Sequence, residues 1–451
     1  MRGKALQFIG DFRLDDAPAD VVRQAKRCLL DLIGVAAAGS QLEVSRITRS
    51  VALTQFGGAQ GRFLFDGRQA SAAGAALANS MTIDGFDAHD GHPLTKGHAG
   101  CGSLAALIAF AGDGSGLTGA DALGHLVCGY EVAIRAGIAL HATASDYHTT
   151  GAWVCIAAAG IGARMLDLDA AATREAIGIA EYYGPRSQMM RCIDHPTMIK
   201  DGSGWGTMAG VVSAYLAREG FTGAPAITVE GEGVAGLWED IGGRWRIGEQ
   251  YFKAYPVCRW AQPAMEAVAQ LRRDHEFGHN QIEAITVRTF HEASRLATPQ
   301  PRGTDDAQYS VPFPVAALLV RGQVGPGEID GDALVDPDIL RLSNRTALID
   351  DPGYSALFPG ERWAEVEIVL ADGRRLASRP AVARGSAENP LSSRDISEKF
   401  HGLMGASGFG GRARRIEDLV MNIDAALSVA PLLEALTQPA EASALLESVA
   451  P

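Results

Sequence analysis

Between about residues 18 and 260 the chain consists almost wholly of helical stretches rich in alanine and glycine, a texture that restricts the available folds more than any other feature. In DVVRQAKRCLLDLIGVAAAG, Val21, Val22, Ala25, Cys28, Leu29, Leu32 and Ile33 recur at intervals of three and four, and Gly39 closes the run. That spacing predicts an amphipathic helix with a glycine stop. The segments ASAAGAALANSMTIDGF, GSLAALIAFAGD, GADALGHLVCGYEVAIRAGIAL, TTGAWVCIAAAGIGARMLDLD and GWGTMAGVVSAYLAREGF repeat the style. Interaxial distance follows side-chain size, so such helices can pack closely in a bundle.

Near residue 280 the pattern changes. QIEAITVRTF alternates in a β-rich run, and RWAEVEIVLADGRRLASRP reads as two strands joined at Asp372-Gly373, a strong hairpin signal. Between them VPFPVAALLVRG and DGDALVDPDILRLSNRTALI read as helical. After about residue 392, SSRDISEKFHGLMG, RRIEDLVMNIDA and LSVAPLLEAL return to helix. The expected fold is mainly α: a large discontinuous all-helical domain, residues 1–265 and 393–451, plus a smaller α+β domain over 266–392.

Composition narrows the function. A chain of 451 residues with net charge -13 lacks the basic footprint of a nucleic-acid or anionic-membrane surface, so neither is an expected partner. An anionic substrate would need a local cationic pocket. Apolar windows such as GSLAALIAFAGDGSG run only about ten residues, too short to cross a bilayer, and the N-terminus shows no export signal, so a cytoplasmic location is expected. The six cysteines, Cys28, Cys101, Cys128, Cys155, Cys192 and Cys258, form no CxxC or CxxxC pair. They read as small buried thiols rather than cluster ligands or disulfides.

Against this background IDGFDAHDGHPLTKGHAGCG, residues 83 to 102, concentrates three aspartates, three histidines and a lysine. It reads as a loop between two buried helices, the second beginning soon after His98, where polar side chains can face a cavity on a fixed scaffold. Asp87, His89, Asp90, His92 and His98 are competent metal ligands, but the stretch lacks HExxH or similar helical spacing, and no metal is expected. Four further groups stand out. SDYHTTGAW places Tyr147 and His148 before a helix N-terminus, whose free N–H groups favour anions. RCIDHPTMIKDGSGWG sets Arg191, Asp194, His195 and Lys200 before a glycine-rich turn that is neither GxGxxG nor a Walker A loop. YFKAYPVCRWAQPAMEA carries Lys253, Tyr255 and Arg259, and PRGTDDAQYSVPFPVAALL brings Arg302 and Tyr309.

Taken in order, these pieces resemble the MmgE/PrpD family, which includes 2-methylcitrate dehydratase, cis-aconitate decarboxylase and iminodisuccinate epimerase. DAHDGHPLTKGH is similar to its D-F-D-D…H-P signature, YHTTGAW to its H-x-T-G helix entry, and MIKDGSGWGTMAGVVSAYLAREGFTG to its lysine-and-glycine segment. FKAYPVC looks like its K-x-Y-P segment and DDAQYSVPFPVAALL like its A-x-x-S/Y segment, and the likeness covers most of residues 20 to 395. The chain departs from the signature at Ala88 and His89, and the His-Pro pair is His98-Ala99. Together with the unassigned Asp84 and His92, His89 marks where a substrate different from that of the named members would be accommodated.

The resemblance implies a helical domain and an α+β lid domain with the active site between them, usually in a homodimer, with no metal and no organic cofactor. By resemblance, Asp87, His98, His148, Lys200 and Tyr309 occupy catalytic positions, and Lys253 reaches a substrate carboxylate. Tyr147, Tyr255, Arg191 and Asp90 are further substrate-binding candidates. Removing a proton beside a carboxylate creates enediolate-like charge, which needs a base at the carbon and cations at the carboxylate. His98 and His148 are the expected proton-transfer pair, with Asp87 orienting His98 and raising its basicity. Lys200 would bind carboxylate or the enolate, and Tyr309 would donate a proton. The implied activity is a lyase acting on a small polycarboxylate: dehydration of a 2-methylcitrate- or citrate-like acid ranks first, then epimerisation of a substituted succinate, then decarboxylation of a cis-aconitate-like acid.

Overall fold

In the computed structural model, which describes residues 3–386 and 389–440, the expected helices form a dense body. The outer limits of the expected helical domain, residues 1 and 451, lie outside the described residues. The amphipathic helix predicted from residue 20 is Ala19–Gly39. Ala72–Asp84, Ala99–Ala111 and Gly151–Met165 are apolar on nearly every face and correspondingly buried. Gly119–Thr143 is long and apolar enough to cross a membrane, a length that the ten-residue apolar windows read from sequence did not anticipate. However, 94% of its apolar window is buried inside the protein, as in a core helix.

Glycine sets how closely these helices meet. Ser203–Arg218 packs on Gly151–Met165. A Cβ on Gly206 would lie 2.3 Å from the Gly151 carbonyl oxygen, and one on Gly210 would lie 2.2 Å from that of Cys155. Backbone therefore rests on backbone here, which only glycine allows.

The second part is built on a five-stranded sheet in the order Thr346–Asp350, Ile282–Thr289, Trp363–Leu370, Arg375–Ala377, with Ala381–Val382 also pairing with Trp363–Leu370. The hairpin expected at Asp372-Gly373 is present, Gly373 taking φ +87°. Trp363–Leu370 alternates strictly, turning Ala364, Val366, Ile368 and Leu370 inward, and it packs against the helix Gln262–Asp274. Thr346–Asp350 corrects the sequence reading, which had this segment as the end of a helix: the helix stops at Asn344 and the next residues pair parallel to Ile282–Thr289. A parallel pair needs a long crossover, and the helices Pro312–Arg321 and Pro337–Asn344 supply it. After the sheet, Ser393–Ala406 packs on Ala19–Gly39. Its Lys399 donates to Asp31 (2.6 Å) and to the Ala88 carbonyl (2.5 Å), tying the end of the chain to the titratable loop.

Candidate active site

Three helix starts converge on that loop. His98 is the N-cap of Ala99–Ala111, Thr150 of Gly151–Met165 and Gly202 of Ser203–Arg218. They are linked directly: the His98 N–H donates to Thr150 Oγ1 (3.2 Å), the Thr150 hydroxyl donates to Asp201 Oδ2 (2.6 Å), and the Gly151 N–H donates to the Asp201 carbonyl (3.0 Å). Each N-terminus is the positive end of its helix dipole, so their convergence favours an anion even though the first N–H groups of Gly151–Met165 are already bonded.

Around these starts lie two buried lysines. The Lys253 ammonium pairs with the Asp87 carboxylate and donates to the Asp87 carbonyl (3.2 Å). Burial alone would raise the Asp87 carboxyl, but Lys253, then His98, His89 and Lys200, hold it well below the carboxylate range. Lys200 donates to Gln308 Oε1 (3.0 Å), pairs with Asp305 (3.1 Å) and lies 5.0 Å from the Tyr309 ring centre. Gln308 Oε1 also accepts from the Asp87 N–H (2.8 Å), so one amide from the α+β part ties both the acidic loop and Lys200. Lys200 has φ +48°, a left-handed conformation that costs an L side chain about 1–2 kcal/mol and that clusters at functional sites.

His98 Nδ1 donates to the Asp90 carbonyl (2.6 Å), which leaves Nε2 as the lone-pair nitrogen of a neutral ring, 3.8 Å from Asp87 Oδ1. Burial, followed by His89 and Lys253, pushes the His98 imidazole well below its ordinary value. Asp87 raises it, as expected from sequence, but less than these effects lower it. The ring therefore stands neutral and ready to accept a proton. Burial pushes the Tyr309 phenol well up, so it stays protonated and able to donate.

The structure thus brings together Asp87, His98, Lys200, Lys253 and Tyr309, and it places the other candidates around them. His148 Nδ1 bonds the Asp146 carbonyl (2.9 Å), and its backbone bridges to Gln188. The Tyr147 hydroxyl donates to the Lys96 carbonyl (2.6 Å) and its ring lies against Trp260. Asp90 faces backward, accepting from the Tyr130 hydroxyl (2.7 Å), and burial together with Asp31 pushes its carboxyl up to about 7. Tyr255 is directed to Glu266 and Arg384, and Arg191 is exposed on the helix Met189–Asp194.

Sequence reasoning passed over Gln308, Asp305, Thr150 and Asp201. Asp201 is raised to about 8 by burial and by Asp84, so it carries a proton at neutral pH. Gln308 and Asp201 adjoin flagged residues, and that adjacency was the one available signal. Among the described residues two groups have metal-ligand spacing, Asp84–His89–Cys101 and Asp87–His89–His98.

A helical body joined to a small sheet module, with a buried carboxylate, imidazole and lysine cluster where they meet, defines a class of two-part, mainly α proteins that enclose acid–base groups between their parts. The chain belongs to the MmgE/PrpD family, whose N-terminal domain model matches residues 5–239 and whose C-terminal domain model matches residues 255–425. It is 25% identical over 476 residues to the cis-aconitate decarboxylase of Aspergillus terreus (strain NIH 2624 / FGSC A1156), covering 94% of this chain and 93% of that protein. It is 24% identical over 410 residues to the cis-aconitate decarboxylase of Mus musculus, covering 84% and 82%. These relatives are lyases.

Proposed function

We propose that the protein is a lyase that transfers a proton at a carbon next to a carboxylate of a small polycarboxylate. The observation that carries this reading is the buried meeting of Lys200 and Lys253 with a neutral His98 at three helix N-termini. Two cations and three dipole ends hold carboxylates in an otherwise acidic protein, and a desolvated site strengthens each attraction. Dehydration, ranked first from sequence, now stands behind decarboxylation of a cis-aconitate-like acid, because both relatives carry that name over most of this chain.

In decarboxylation the C–C bond to the departing carboxylate breaks and its electron pair stays on carbon. The lysines hold the remaining carboxylates, and a proton from Tyr309 forms the new C–H bond as CO2 leaves. Dehydration is the second reading, favoured by the protonated carboxyl of Asp201. There His98 Nε2 takes the carbon-bound proton and an acid protonates the departing hydroxyl. His148 serves as an outer member of the site in both.

Incubation with cis-aconitate, citrate, 2-methylcitrate and substituted succinates, following CO2 release, conjugated-acid absorbance and solvent-deuterium uptake, separates the reactions. Deuterium uptake without net conversion would favour epimerisation, and binding without exchange would refute an enzyme. Lys200→Ala should abolish turnover in a folded protein; wild-type turnover would remove Lys200 from the mechanism.

We also propose a homodimer. Trp205, Met208, Val212 and Tyr215 form a stripe at helical spacing on Ser203–Arg218, with Trp205 56% exposed, and Ile199 lies exposed just before that helix. An apolar helix face of this kind fits a second copy of the chain.

A further inference from the structure

His89 takes no part in the reaction described above, yet it is completely buried, and neither ring nitrogen makes a well-formed hydrogen bond beyond a loose contact to the Phe86 backbone. Buried polar atoms are nearly always satisfied, so a ring this poorly bonded points to a missing occupant. Asp84, the last residue of the helix Ala72–Asp84, is 2% exposed and likewise leaves Oδ2 without a partner. Its Oδ1 is 3.6 Å from His89 Nε2, beyond a good hydrogen bond. Cys101 lies in the first turn of the next helix, its thiol 3.3 Å from the His98 carbonyl and near the Ser203 hydroxyl. A carboxylate oxygen of Asp84, a ring nitrogen of His89 and the Cys101 sulfur all lie within 4.8 Å of one another.

We propose that Asp84, His89 and Cys101 form a binding site for a divalent transition-metal ion of the zinc type. Oxygen, nitrogen and sulfur together are the donor set of zinc and its borderline neighbours rather than of magnesium or calcium. Zinc bonds of about 2.0–2.3 Å put tetrahedral ligand atoms roughly 3.3–3.8 Å apart, a range in which Asp84 Oδ1 and His89 Nε2 already lie at 3.6 Å. On binding, three coordinate bonds form, the Cys101 S–H bond breaks and its proton leaves to solvent. With one carboxylate and one thiolate the bound dication forms an electrically neutral cluster, so the occupied site leaves no net charge in the interior. Two helices that pack on each other and the loop between them supply all three ligands. The alternative trio, Asp87, His89 and His98, is less suited, because the Asp87 carboxylate is already taken by the Lys253 ammonium. Three protein ligands leave a fourth position for water or another oxygen. The His89 and His98 rings lie 4.0 Å apart, so the ion would adjoin the candidate active site. The site departs from the metal-free expectation that accompanied the family resemblance, and it does not depend on which lyase reaction the protein performs.

The test is titration of the chelator-treated full chain with Co2+ and then Zn2+. Wild-type protein should take up one equivalent of Co2+ with tetrahedral visible absorption and a thiolate-to-cobalt charge-transfer band, both erased by one equivalent of Zn2+. Cys101→Ser should lose the charge-transfer band, and His89→Phe should weaken binding by more than about 100-fold, beyond the range for loss of an outer-sphere partner. Far-ultraviolet circular dichroism checks that each variant is folded, and the wild-type titration stands without any variant. Absence of stoichiometric binding by wild type, or a cobalt spectrum without a thiolate band, or a band that survives in Cys101→Ser, would overturn the assignment.

Discussion

Replacing Lys253 with methionine tests how the cluster is held together. Lys253 is fully buried, and its ammonium is the direct partner of the Asp87 carboxylate. Methionine fills most of the same volume but leaves the carboxylate with His98 Nε2 at 3.8 Å as its nearest ring nitrogen. Two unit charges about 4 Å apart attract by about 4 kcal/mol at an effective dielectric of 20, and removing one member of a buried pair costs about 3–5 kcal/mol because the survivor is stranded. Lys253→Met should therefore lose about 3–5 kcal/mol. Asp87→Asn with Lys253→Met should recover much of that, giving a coupling of about 2 kcal/mol or more. The assay is urea unfolding followed by circular dichroism and tryptophan fluorescence, with coincident transitions required before free energies are compared in this two-part chain. A loss below about 1 kcal/mol in the single variant, or strictly additive effects, would refute the account of Asp87 and Lys253 as a mutually dependent buried pair.

Other outcomes follow from separate parts of the molecule. His125 Nδ1 accepts from Arg164 Nε (2.7 Å), and burial together with the Arg164 charge pushes the ring down to about 4. Between its ordinary value of 6.5 and about 4 the unfolded chain binds the proton and the folded one does not, so stability should fall as pH drops through that window. His125→Gln should flatten this slope of the urea midpoint against pH; an unchanged slope would contradict it. Gly210→Val should destabilise by about 3 kcal/mol, the upper range for overpacking, since even a Cβ would lie 2.6 Å from that of Ala158. A urea midpoint equal to wild type would show that the helices separate at no cost. Trp205→Glu should convert the proposed dimer to monomer in sedimentation, and a monomeric wild type would dispose of the dimer itself.

Much of this fold was legible because its signals are local and periodic. The three-and-four spacing from Val21 to Ile33 and the alternation from Trp363 to Leu370 each report a face that must be buried. Thr346–Asp350 was missed because it follows a helix directly and is only partly buried, so no alternation marks it. In the candidate site, ordered motifs pointed to Asp87, His98, Lys200, Lys253 and Tyr309, which the fold brings together. They did not point to Gln308, since a neutral amide carries no charge pattern and its importance comes from accepting from Asp87 and Lys200 together. The direction of the His98 shift was also hidden from sequence, because it depends on burial outweighing Asp87.

The glycine contacts beneath the site bear on how such a protein can acquire a new substrate. Gly151 and Gly206 press main chain on main chain beside Thr150 and Asp201, so this floor has no side chain to shorten and no room to lengthen one. What can change without moving that floor is the part of the loop from Asp84 to His98 that the proposed reaction leaves unused, Asp84, His89 and His92, while Asp87 and His98 in the same loop must stay.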